Sequence, residues 1–97
     1  MEVRLNSTLR GQIGRRSFPV DLPEGTSVHA VLDVVADEAP ALRAILWDES
    51  GRLHPNFVIF RNGRKIEYFD GLETRLHLTD VLDVYPKTGA QRAFVDS

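Results

Sequence analysis

Val28, Val31, Leu32, Val35 and Ala39 recur at the i, i+3, i+4, i+7 and i+11 spacing of a single helical face, while Asp33, Asp37 and Glu38 fall away from it. Thr26 to Ala39 therefore reads as an amphipathic helix. Thr26 or Ser27 can cap its start by accepting a free backbone N–H, and Pro40 ends it by pushing the preceding residue out of the α region. A helix of about 13 residues is roughly 20 Å long, the length of a six-residue strand. It cannot bury its stripe alone and needs a sheet of matching length.

The rest of the chain supplies that sheet. Val3 and Leu5 alternate with Glu2, Arg4 and Asn6, as in a strand with one face inward. Gly11 and Gly14 bracket a turn, after which Phe18, Val20 and Leu22 alternate with polar neighbours and Pro19. Proline cannot donate to a ladder, so this second strand belongs at a sheet edge, hairpin-paired to the first. Beyond Pro40, Leu42, Ile45 and Leu46 share one face of a second short helix, and Trp47 is expected to pack under the following loop. Phe57 to Phe60 is apolar on both faces, hence a central strand. Asn62-Gly63 is a hairpin turn with Lys65 to Glu67 returning. Tyr68 to Thr79 is irregular. Val81 to Tyr85 forms the last strand, stopped by Pro86, with Leu82 and Val84 on one face and Val81, Asp83 and Tyr85 on the other.

The order β-β-α-β-β-β, with one main helix, specifies an α+β roll in which a mixed sheet of about five strands grasps a helix. The last strand should run parallel to the first, in mid-sheet. Residues 1–86 form the single domain, and 87–97 form a flexible tail without periodicity. The expected core is Leu5, Val20, Val31, Leu32, Val35, Leu82 and Val84.

Composition narrows the chemistry. The 97 residues allow one core, and the absence of cysteine removes disulfides, thiolate metal sites and a thiol nucleophile. Twelve Lys and Arg against fourteen Asp and Glu leave a net charge of −2, which disfavours nucleic acid or an anionic membrane as partner. No apolar run reaches the ~20 residues of a membrane span, and the N-terminal stretch has no signal core, so a cytoplasmic protein is the expectation. His29, His54 and His77 lack ligand spacing, and Ser17, Ser27 and Ser50 lack a base partner by spacing. Asp80 and Asp83 read as solubilising carboxylates. The expectation is a protein that is not an enzyme and carries no metal.

Four pieces, VRLNSTLR, VDLPEGTSV, FVIFRNGRKI and DGLETRLHLTDVLDVYP, follow one another from the start of the chain through Pro86. In that order and spacing they resemble the ubiquitin-like β-grasp sulfur carriers of the MoaD/ThiS family, the small subunit of molybdopterin synthase and the thiamine-pathway carrier. The resemblance implies a β-grasp fold and a C-terminal tail ending in Gly-Gly. A ubiquitin-activating-type enzyme adenylates such a tail with its own ATP and magnesium and then converts it to a thiocarboxylate. An acceptor synthase takes the sulfur, or a target protein takes the carrier as a modifier.

This chain departs from that pattern. Thr88 and Gly89 are followed by Ala90 and seven further residues to Ser97, with no diglycine. A channel that admits only bare backbone would require trimming near Gly89 by a tail-processing protease. The expected partner face is the sheet surface opposite the helix. It would carry Val81 and Tyr85, joined by either Val58 and Phe60 or Phe57 and Ile59. The first pair is taken as the candidate, with Arg61, Arg64 and Lys65 as its rim. The alternative function is a non-conjugating interaction module that acts through the same open face.

Overall fold

A computed structural model describes residues 1–87. Strand β1 (Glu2–Leu5) is followed by a short helix α1 (Thr8–Ile13) and strand β2 (Ser17–Pro19). Helices α2 (Val28–Glu38) and α3 (Pro40–Leu46) come next, then strands β3 (Phe57–Arg61), β4 (Arg64–Lys65) and β5 (Val81–Pro86). The five strands form a mixed sheet in the order β2-β1-β5-β3-β4. Strand β5 runs parallel to β1 in mid-sheet, and the β1–β2, β3–β4 and β3–β5 pairs are antiparallel. The expected α+β roll and the edge position of the Pro19 strand both hold.

Ser27 caps α2, its hydroxyl accepting from the Ala30 N–H at 3.2 Å. Val28, Val31, Leu32, Val35 and Ala36 turn inward from α2 onto Val3, Leu5, Leu82, Val84 and Ile59 of the sheet, and α3 adds Leu42 and Leu46. All seven expected core residues are buried. Pro40 sits in the first turn of α3, where its missing N–H would have had no helical partner.

Two local expectations differ from what forms. The segment expected to be a glycine turn is helix α1. Leu9 is fully buried, and Ile13, four residues on, packs against the same core. That burial outweighs the roughly 1 kcal/mol that Gly11 costs inside a helix. Gly14 closes α1 in the left-handed conformation at φ 79°, its N–H bonding to the Arg10 carbonyl at 2.9 Å. Beyond Asn62-Gly63, whose positive φ angles of 50° and 85° make the tight turn, the returning strand is only Arg64–Lys65. Ile66 to Tyr68 instead tightens into a 3₁₀ turn that drops Ile66 into the core.

The segment read as irregular is tied down by hydrogen bonds. Leu76 N–H bonds to the Thr26 carbonyl, and Gly25 N–H to the Leu76 carbonyl, so the chain there flanks the entry to α2. The buried Thr74 hydroxyl accepts from the Asp70 N–H at 3.0 Å and donates to the Gly71 carbonyl at 2.7 Å.

Candidate functional site

The register decides which side chains share the open face. Val58 lies opposite Tyr85 and Phe60 opposite Asp83, whereas Ile59 lies opposite the buried Val84. Side chains alternate along a strand, so Val58 and Phe60 join Val81 and Tyr85 on the face turned away from α2. Phe57 and Ile59 face the core side, so Val58 and Phe60 are the pair that lies beside Val81 and Tyr85. Phe60 and Tyr85 meet edge to face with ring centroids 5.5 Å apart. Val58 is buried between its neighbours, while Phe60, Val81 and Tyr85 remain partly open to solvent.

The three expected rim cations do not stay together. Lys65 pairs with Phe60 and belongs to the open face, but Arg61 lies opposite Leu82, on the helix side. There its guanidinium donates to Asp80 at 2.9 Å and stacks over the Phe69 ring at 4.8 Å. Arg64 pairs with Arg61 and shares that side. Thr88 and Gly89, the expected activation residues, lie outside the described residues.

Asp80 and Asp83 are both engaged, not merely solubilising. Asp80 is only 5% exposed and accepts from Arg61, from the Asn62 amide at 2.8 Å and from the His77 N–H at 2.8 Å. Burial pushes its carboxyl up, but the bonds from His77, Asn62 and Arg61 together outweigh that and hold it below the usual carboxylate range. Asp83 accepts a two-pronged contact from Arg4 at 2.9 and 3.0 Å and a bond from Asn6 at 3.2 Å. The hydrogen bonding of Arg4 to Asp83 and the Asp83 charge raise the Arg4 guanidinium above its ordinary value.

Arg4 also marks what the sequence reading missed. The open face continues from Tyr85 into a polar groove lined by Glu2, Arg4, Asn6, Arg10, Arg16, Ser17 and Asp83. Arg4 was accessible from its alternation with Val3 and Leu5. Arg10 and Arg16 reach the groove only because α1 forms, and nothing in the expected glycine turn signalled that. The face is therefore divided, with an aromatic–aliphatic half on β3 and β5 and a half of mixed charge on β1, α1 and the turn before β2.

Among the described residues, no group of three or more His, Asp or Glu side chains is placed to hold a metal ion, and no helix is long and apolar enough to cross a membrane. Strand β5 delivers the chain to the edge of the divided face. There the Lys87 N–H bonds to the Asn56 carbonyl at 2.5 Å, just before Thr88 and Gly89.

No family model matches the chain. It is 29% identical over 86 residues to small archaeal modifier protein 3 of Haloferax volcanii, spanning 89% of this chain and 92% of the relative. The crystal structure of SAMP1 from Haloferax volcanii superposes with a TM-score of 0.80 at 27% identity, over 89% of this chain and 92% of that one. Over nearly its whole length the chain is thus similar to small archaeal modifier proteins in sequence and fold. A putative molybdopterin converting factor subunit 1 from Pyrococcus furiosus shares the fold at a TM-score of 0.66 and 21% identity, over 88% of this chain and 93% of that one. The ubiquitin-like β-grasp resemblance carried by the four sequence pieces is thereby upheld.

Proposed function

We propose that this protein is a ubiquitin-like carrier or modifier whose tail is activated by a separate adenylating enzyme after trimming near Gly89. The observation that carries the reading is similarity to small archaeal modifier proteins over nearly the whole length of both chains. The protein contributes no chemistry of its own beyond presenting a carboxylate. Its work is recognition, with Val58, Phe60, Val81 and Tyr85 as an apolar docking surface and Lys65 beside them. The tail leaves the sheet where β5 ends, so an enzyme seated on this face would find the tail within reach.

Gly89 is the only glycine beyond Pro86, and a residue without Cβ is what a narrow channel around a reacting chain end favours. Sulfur transfer into a biosynthetic product such as molybdopterin or thiamine, and attachment to a target lysine, both start from the same acyl-adenylate. ATP and magnesium belong to the activating enzyme.

The test is ATP–pyrophosphate exchange by a cognate activating enzyme, comparing the 97-residue chain with one ending at Gly89. Exchange should appear only with the shortened chain. Exchange with the 97-residue chain would remove the trimming step. Binding of both forms without exchange by either would reduce the protein to an interaction module.

A further inference from the structure

On the side of the molecule turned away from the open sheet face, the loop after α3 folds back against α2 and leaves a small cavity. Its lining is His29 and Asp33 from α2, Arg43 and Trp47 from α3 and its end, and Asp48, Glu49 and Gly51 from the loop. Trp47 and His29 meet at a tilt of 36°, with ring centroids 4.9 Å apart. The indole N–H is buried without an acceptor, so no polar anchor of its own holds the ring, and packing alone presents it as an aromatic wall.

The charges around that wall are unevenly matched. Arg43 donates to Asp33 at 3.2 Å and to Asp37 at 2.8 Å, and those bonds raise its guanidinium above the ordinary value. His29 lies 3.6 Å from Asp33. Asp48 uses one carboxylate oxygen to accept from the Ser50 N–H, the Ser50 hydroxyl and the Arg52 N–H. The Ser50 hydroxyl bond, foremost among these, holds the Asp48 carboxyl below the usual range, with a smaller contribution from the Arg52 charge outside the cavity. Its second oxygen has no hydrogen-bond partner within the described residues. Glu49 is exposed and has no ion-pair partner there.

We propose that this cavity receives an arginine side chain of a partner protein, with the guanidinium against the Trp47 ring and its N–H groups donating to Glu49 and Asp48. A planar guanidinium suits an aromatic wall beside two carboxylates better than a compact ammonium does, because it stacks and forks at once. A neutral side chain would lack the charge that strengthens both contacts, and an anionic one would be repelled by the two carboxylates. The site is independent of the carrier reading and is occupied from the opposite side of the molecule, so one partner there leaves the open sheet face free for another.

Trp47 is the only tryptophan, so its emission reports on this cavity alone. The intact protein is titrated with N-acetyl-arginine amide while tryptophan fluorescence and backbone amide shifts are followed. N-acetyl-lysine amide and N-acetyl-glutamine amide serve as comparisons. Saturable changes centred on Trp47, Asp48 and Glu49 are expected, with a Kd on the order of millimolar for a single side chain. Arginine should bind more tightly than lysine, and glutamine should not bind. Glu49→Gln removes one exposed charge without touching the core and should weaken arginine binding about fivefold, the equivalent of one charge at about 4 Å in water. Absence of saturation, equal response to glutamine, shifts confined to the sheet face, or unchanged affinity in Glu49→Gln would each overturn the proposal.

Discussion

Replacing Asp80 with alanine tests how the start of β5 is held. Asp80 joins the β3–β4 turn to β5, through Arg61 and Asn62 on one side and the His77 N–H on the other. Asn62 completes the clasp by accepting the Val81 N–H at 3.0 Å through its side-chain oxygen. Asp80→Ala strands three donors, one of them a guanidinium whose side chain is only 16% exposed. Each buried donor left without a partner costs about 1–3 kcal/mol, and removing one member of a buried ion pair costs about 3–5 kcal/mol. These losses overlap, because Arg61 can turn toward water once released. A total of about 3–4 kcal/mol is expected, a large share of the roughly 5–15 kcal/mol that holds a domain of this size together. Urea denaturation at neutral pH should show the midpoint falling with an unchanged slope. Acidification supplies the second arm. The Asp80 carboxyl lies below its unfolded value in the folded protein, so its stabilisation is complete above an unfolded pKa of about 3.9. That stabilisation is lost as the pH falls below this value, through the folded pKa. The difference between wild type and Asp80→Asn should therefore persist from neutral pH down to about pH 5 and shrink below about pH 4. A cost under about 0.5 kcal/mol for Asp80→Ala, or a difference that does not change with pH, would refute this account of the clasp.

Two further outcomes follow from the packing and the open face. Leu32 is fully buried under the sheet, and Leu32→Ala should cost about 2–5 kcal/mol by chemical denaturation, from lost transfer energy and the cavity left behind. Phe60→Ala should leave the fold intact by circular dichroism yet weaken binding to an activating enzyme by at least about tenfold in a titration, because an aromatic anchor at the centre of an interface carries an outsized share of its energy. Unchanged binding would move the docking surface off this face.

The parts of the molecule that the sequence exposes are those in which one period dominates. The stripe from Val28 to Val35 has a single burial solution, and the alternation of Leu82 and Val84 with Asp83 and Tyr85 fixes both the face and the depth of β5 in the sheet. Asn62-Gly63 names its own turn because both residues accept positive φ. Helix α1 is hidden because Gly11 and Gly14 signal a turn locally, whereas Leu9 and Ile13 gain enough burial to override them. Asp80 is hidden for a related reason. An aspartate before a strand looks like a surface charge until the fold brings Arg61 and Asn62 to it from the neighbouring hairpin. Placing Arg61 on the wrong side of β3 follows from extending the apolar run without choosing a register. Once Ile59 is set opposite Val84, Arg61 must face the helix side and Lys65 the open one.

The most direct test of the carrier reading is the intact mass of the protein isolated from its native cells. The account predicts a species ending at Gly89, in part heavier by the exchange of one oxygen for one sulfur at the terminal carboxylate, or joined through Gly89 to a lysine of another protein. A population that uniformly retains Ala90 to Ser97, with neither sulfur nor a conjugated partner, would contradict it.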